Sequence, residues 1–373
     1  VGALGQVSFF VALVLVIVVH EAAHFGIARL FRIKVTEFFV GFGPKIWSTM
    51  RGETEVGFKW IPAGGYVKIA GMSPYEEISP EDLPRTYGAK PRWQRALVIA
   101  AGPATHFVLA FVCFALWLGL VGRPVEVGSP VLDEVPRVLD GNPAPAFVAG
   151  LRAGDRIVRV DGTPIESTDA FSAYLDAHVG EPVEVTYERD GRARTVSVTP
   201  VTSIVDGQEK ARIGVVLAPN RIVRRSEGVV GAVVGGARDV GDGVVRTVEG
   251  IGRIFGPEGI GRVARLVFTD EPRRPDDATS VVGVGRVAGA IASEGHFWDI
   301  LYLFGLVNVF VGFLNLLPLP PFDGGHLAVL LIERIRGRSI DMRKVIPISA
   351  VVATFFIVFT IAVVYVDLVK PPV

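Results

Sequence analysis

The sequence predicts an α-helical membrane protein with four transmembrane helices, a membrane-associated β-hairpin sheet and one extracytoplasmic β-rich domain. Two observations carry this. The chain of 373 residues is 50% hydrophobic yet 20% charged, too apolar for an ordinary soluble protein and too interrupted for an all-membrane bundle. Its apolar residues gather into four runs of spanning length, and the longest charged stretch lies between the second and third. The formal net charge is +0, which implies no nucleic-acid partner. Cys113 is the one cysteine, so neither a disulfide framework nor a cysteine-based zinc site is available.

The first segment, 1–35, holds a span from about Leu4 to Leu30. From Val7 to Val19 the only polar side chain is Ser8. No basic leader or small-residue cleavage site precedes the polar group that follows, so the run reads as a retained span. That polar group is His20-Glu21-Ala-Ala-His24. Ionisable groups in hydrocarbon cost at least ~2.5–3.5 kcal/mol at the bilayer centre and mark function by default. Positions i and i+4 share a helix face, so His20 and His24 are placed to hold one ion. Glu21 stands beside the first of them. This is the H-E-x-x-H pattern of a zinc hydrolase. His20 lies ~24 Å along the helix from Leu4 at 1.5 Å per residue, past the midplane. Arg29, Arg32 and Lys34 follow; basic flanks face the cytoplasm, which puts the N-terminus outside and the metal site nearer the cytoplasmic face.

Segment 36–72 mixes apolar, glycine and charged residues with alternation, as in Val56-Gly-Phe-Lys-Trp-Ile-Pro-Ala-Gly-Gly-Tyr-Val-Lys68. It reads as short strands and hairpins. Such backbone enters a bilayer only where protein buries it or water lines it, and an exposed edge is suited to pairing with an unwound peptide by β-addition. A cytoplasmic loop, 73–95, ends on Lys90, Arg92 and Arg95. The second span occupies 96–122 and carries Gly102-Pro103 and His106 near its start. The Gly-Pro pair permits close helix approach or a kink. His106 is read as a hydrogen-bonded neighbour of the metal site or an interfacial residue, with a ligand role as the alternative.

Segment 123–220 is charged, alternating and soluble in character. It has a helical pattern over Thr168 to Val179 and strands at Val183 to Tyr187 and Thr195 to Val198. Segment 221–296 is rich in glycine and valine, and Val229 to Phe255 is expected as an amphipathic helix on the membrane surface. The third span, in segment 297–335, is broken by Pro318, Pro320 and Pro321 ahead of Phe322-Asp323-Gly-Gly-His326. Catalytic zinc takes three protein ligands and keeps one position open. Asp323 is the candidate for the third; its competing role is a helix N-cap for His326 to Ile335, and His326 is a second candidate ligand. A basic stretch from Arg334 to Lys344 precedes the fourth span, in segment 336–373, and returns the C-terminus to the outside.

Taken together, the chain resembles the site-2 protease family, specifically the bacterial regulator-of-sigma-E type of intramembrane zinc metalloprotease. The residues that carry the resemblance are His20-Glu21-x-x-His24, Gly64-Gly65-Tyr66-Val67-Lys68 with Gly71-Met72, Ala101-Gly102-Pro103, and Asn315-x-x-Pro318-Leu319-Pro320-x-x-Asp323-Gly324-Gly325-His326. The run Ala149-Gly-Leu-x-x-Gly-Asp-x-Ile-x-x-Val-Asp-Gly162 resembles a bacterial PDZ domain with shifted termini. Two positions depart from the family pattern: Phe322 stands where the family has leucine before Asp-Gly, and His106 stands where the Gly-Pro motif often ends in asparagine.

The resemblance implies a protein of the bacterial plasma membrane whose PDZ domain is extracytoplasmic. It implies one Zn2+ per chain and a single-span membrane protein as substrate, commonly an anti-sigma factor, cut after a prior site-1 cleavage. His20, His24 and Asp323 are the expected ligands, with Glu21 the catalytic base that takes a proton from the zinc-activated water. Asn315, Gly64, Gly65 and Tyr66 are expected at the substrate. The lipid bilayer is the second partner. Two rivals predict otherwise. A non-catalytic PDZ-containing membrane adaptor needs no intact metal site, and a metal transporter needs further polar ligands in the spans, which the sequence scarcely offers beyond His106.

Overall fold

The computed structural model describes residues 1–205, 208–219, 221–274 and 276–371. They fall into two units, residues 1–121 with 227–373, and residues 122–226.

In the first unit, helix α1 (Gly2–Leu30) is the apolar N-terminal run, and its buried positions include Phe9, Val16, His24 and Ala28. Helix α2 (Arg92–Leu116) starts four residues earlier than the hydropathy pattern suggests, because Arg92, Trp93 and Gln94 extend it below the apolar stretch. One π turn (Trp117–Val121) continues it. Pro103 sits inside α2.

Between them, β1 (Val35–Arg51) and β2 (Thr54–Ile69) form an antiparallel pair with register shifts. The expectation of short strands is corrected here: there are two long strands, each bent at glycines. Gly41 and Gly43 have φ of 91° and 83°, and Gly64 has 151°, which a side chain tolerates poorly. The bends fold the pair back on itself. Phe38, Phe39 and Val40 pair with Val67, Tyr66 and Gly65 on one flank and with Val56, Gly57 and Phe58 on the other. Among the described residues no further strand pairs with Gly65–Ile69, which leaves that segment as an edge.

The second unit carries a four-stranded sheet built from Arg192–Val198, Val183–Arg189, Arg156–Val160 and Thr163–Pro164, in that order. A one-turn helix α3 (Pro145–Val148) and helix α4 (Thr168–Ala177) complete its core, where Leu132, Ile157, Phe171 and Val185 are buried. Asp155, fully buried, receives Arg189 through Nε at 2.7 Å. The unit closes on a pairing of Arg221–Arg225 with Arg123–Val127. A boundary at 220 is therefore too early: the strand that returns the chain lies just beyond it.

The rest of the first unit is helical. Helix α5 (Gly228–Phe255) buries Ala232, Gly235, Gly236 and Gly243. A Cβ at Gly236 would lie 3.1 Å from the Ala115 backbone of α2, and one at Gly243 would meet Val309 at 3.3 Å. The glycines that weaken its helix propensity thus form its packing face, a contact a purely amphipathic reading does not anticipate. Helix α6 (Pro257–Phe268) and helix α7 (Val281–Ser293) follow. Small residues of α7 lie against α1: a Cβ at Gly5 would come within 2.6 Å of Ala292 Cβ and 2.7 Å of the Ala288 carbonyl. Helix α8 (Ile300–Asn315) stops short of the proline break. Helix α9 (Asp323–Arg336) and helix α10 (Ile346–Val369) end the chain.

Four helical stretches among the described residues are long and apolar enough to cross a membrane: Gly2–Leu30, Arg92–Val121, Phe297–Asn315 and Met342–Val369.

The α1–α7 contact has no room for side chains. Gly5→Leu is expected to cost about 1–3 kcal/mol through overpacking, measured as a lower thermal midpoint of the detergent-solubilised protein; an unchanged midpoint would mean the two helices do not pack here.

Candidate metal centre

The two histidines are brought together by helix geometry alone. His20 and His24 stand one turn apart on α1, with their Nε2 atoms 3.1 Å from each other. Asp323 comes from the opposite end of the sequence. Its Oδ2 lies 3.3 Å from His20 Nε2 and 3.5 Å from His24 Nε2. The proline-rich break between α8 and α9 delivers it. Helix α9 begins at Asp323 itself, the residue at its N-cap position is Phe322, and no side chain caps it. The N-cap role is thereby excluded, because the carboxylate turns to the imidazoles rather than to the helix backbone.

Glycines make the approach possible. A Cβ at Gly102 of α2 would sit 2.2 Å from His24 Nε2 and 2.6 Å from His20 Cε1. A Cβ at Gly324 would lie 2.2 Å from the Leu316 carbonyl oxygen, and one at Gly325 2.3 Å from Pro320 N. The first turn of α9 is thus laid against the break, where only glycine fits.

The donor set suits zinc. Ligands held tetrahedrally at ~2.0–2.2 Å from an ion stand ~3.3 Å apart, which matches the three separations of 3.1, 3.3 and 3.5 Å. The ligand atoms all lie within 4.8 Å of one another. His24 Nδ1 donates to the Val98 carbonyl at 2.7 Å, which leaves the lone pair on Nε2, the nitrogen that faces Asp323.

Glu21, Gly65, Tyr66 and His326 line the same cavity of about 330 Å3 as the three candidate ligands. A Cβ on Gly65 would meet Glu21 Cγ at 3.0 Å and Ile17 Cγ2 at 3.3 Å, so the edge segment of the hairpin passes directly beside the Glu21 side chain. Tyr66 donates to Glu37 and receives Lys59 Nζ at 2.8 Å. Burial and then the Glu37 carboxylate push the Tyr66 hydroxyl well above its ordinary value, so it serves as a neutral hydrogen-bonding group. Burial raises Glu37, but its bonds from Tyr66 and Lys68 outweigh this and hold it below the usual carboxylate range.

Not every expected residue is at the cavity wall. Gly64 packs against Phe42, whose Cε2 would be 2.7 Å from a Cβ there. Asn315 is the last residue of α8 and does not line this cavity. His106 lies behind His20, with its Nε2 3.1 Å from His20 Nδ1 and its Nδ1 3.2 Å from Asn308 Oδ1. Asn308 was not distinguished in the sequence. A lone asparagine inside the apolar run Ile300–Val311 was the signal available.

A His-His-Asp donor set with a neighbouring glutamate, among helices able to span a membrane, defines a metal-dependent hydrolase of the membrane. Similarity to known proteins makes the assignment specific. Residues 8–360 match peptidase family M50. Zinc metalloprotease Rip1 of Mycobacterium tuberculosis H37Rv is 32% identical over 98% of this chain and 98% of its own. Zinc metalloprotease Rip1 of Mycolicibacterium smegmatis is 31% identical, over 99% and 98%. Among solved structures, the chain is similar to the PDZ domain of the SdrC-like protein from Listeria innocua, at 26% identity over 25% of this chain and 97% of that one, with a TM-score of 0.21. The chain belongs to peptidase family M50, the site-2 proteases. It is a zinc metalloendopeptidase.

Gly102→Ala is expected to displace the imidazoles and lower zinc affinity at least ~10-fold, read by chelator competition, with the helical circular dichroism kept. Parental affinity in that variant would mean that α2 does not confine the site.

Proposed function

We propose that this protein is an intramembrane endopeptidase that cuts single-span membrane proteins, with His20, His24 and Asp323 as zinc ligands and Glu21 as the proton carrier. One observation carries the reading: three donor atoms converge at tetrahedral ligand spacing, and Glu21 lines the same cavity. Bound there, zinc supplies Lewis-acid polarisation of a peptide carbonyl and acidifies the attacking water. Glu21 takes the proton from that water and returns it to the leaving amine. Asp323 supplies negative charge against the cation, and the Val98 carbonyl keeps His24 in the tautomer that ligates.

The substrate must be extended, because a helical peptide bond is shielded by its own turn. The unpaired edge at Gly65–Ile69 supports this step, since a peptide added to it would run past Glu21. Tyr66 and Gly65 hold that edge at the cavity, and Gly64 supplies the bend before it. Asn315 then acts on the substrate backbone from the far side of the break, once substrate is in place.

The unit at 122–226 acts as a PDZ-like gate on the extracytoplasmic side, admitting membrane proteins already trimmed by another protease. An anti-sigma factor is the proposed substrate, and the bacterial plasma membrane the location. The basic residues after α1 and after α9 support this orientation.

Proteoliposomes with a single-span substrate test the chemistry. Glu21→Gln is expected to retain zinc and lose cleavage by several orders of magnitude; full cleavage would remove Glu21 from the mechanism. Asp323→Ala is expected to lose zinc by elemental analysis, and undiminished zinc content would reject it as a ligand. Removing zinc with a strong chelator should stop cleavage and readdition restore it; cleavage that survives chelation would sink the zinc reading.

A further inference from the structure

We infer that His106 and Asn308 are positioning residues that set the tautomer of His20, through a hydrogen-bond relay crossing three helices. The inference rests on the proposed ligand set.

The order of the protons can be followed from one end. Asn308 Nδ2 donates to the Phe304 carbonyl at 2.8 Å, which fixes the amide with Oδ1 toward His106. An amide oxygen only accepts. His106 Nδ1, 3.2 Å from it, therefore carries the proton. In the neutral ring the other nitrogen is then an acceptor. His106 Nε2 is 3.1 Å from His20 Nδ1, so His20 Nδ1 is the donor. This leaves the lone pair of His20 on Nε2, the atom that faces Asp323 Oδ2 at 3.3 Å.

His24 obtains the same tautomer directly from the Val98 carbonyl. For His20 the partner is a second imidazole, itself oriented by an amide on α8. His106 is 2% exposed and Asn308 1%. Two buried polar side chains in apolar helices are costly unless each bond is made, and here the bonds are made in one direction along one line. Helix α8 is held close for this: a Cβ at Gly312 would be 2.8 Å from His106 Cβ. A ligand role for His106 does not fit, because its Nε2 meets His20 on the side of the ring away from Asp323.

The test uses the full chain in detergent, with zinc affinity from competition with a chromophoric chelator and thermal unfolding of the zinc-free forms. His106→Leu and Asn308→Leu are each expected to weaken zinc binding about 10–100-fold. The double variant should be scarcely worse than either alone, because one relay is broken once. His106→Gln keeps an acceptor toward His20 and a donor toward Asn308, and should restore most of the affinity. A purely structural role predicts instead lower melting with parental zinc affinity, or a Gln variant as weak as Leu; either overturns the relay. If His106→Leu fails to fold, the comparison of Asn308→Leu with His106→Gln decides in the same way. His20→Ala and Asp323→Ala are run beside them. Loss of zinc in these two with parental affinity in the relay variants refutes only the relay. Retention of zinc in these two refutes the ligand set beneath it.

Discussion

The meeting of Asp323 with His20 and His24 is the constraint on which the rest of the first unit depends. A carboxylate about three hundred residues from the imidazoles must reach within 3.3 and 3.5 Å of them. That requires α2 to lie against α1 where Gly102 leaves room, and the chain after α8 to stop being helical. Prolines end the helix because they lack a donor and clash with the preceding turn. Gly324 and Gly325 then let α9 start on top of the break. The Cβ clashes at these positions are among the closest in the molecule, and they surround the same three side chains.

Around the site, polar groups inside the helical unit are joined to partners on other elements. Arg95 of α2 meets Glu333 of α9 at 3.1 Å, with Glu333 nearly fully buried. Asp367 of α10 is fully buried; it bonds Arg273 and accepts from the Ser280 backbone at 2.7 Å. Removing one partner of such a pair would strand a buried charge, which costs more than the pair contributes. The ties thus act on register. They fix α9 against α2 and α10 against the loop before α7, while small-residue contacts set how close the helices come.

Much of this was legible in the chain. The spans were readable because a hydrophobic run of that length has few other uses, and the H-E-x-x-H pair because helical spacing places both histidines on one face. Strands of the four-stranded sheet in the second unit were readable from alternation and Asp-Gly turns. What was not legible depends on contacts between distant segments. Two long bent strands looked like several short ones, since glycine bends and turns carry the same sequence signal. The closing strand Arg221–Arg225 fell outside the expected domain because its partner lies about a hundred residues earlier. Helix α5 looked like a surface helix because its glycines advertise neither helix nor core.

The sequence by itself determined which residues are able to ligate, which helices are apolar enough to span, and that Asp323 was a candidate with two possible roles. Tertiary structure turns its carboxylate toward the two imidazoles and leaves α9 without a side-chain cap. A helix-capping aspartate and a metal-ligating one have the same local sequence, and only the direction of the carboxylate separates them. It likewise set the partner of His106, since what a histidine meets depends on which group another helix places 3.1 Å away. Local patterns fix backbone periodicity and face; which faces meet is a matter of the whole packed chain.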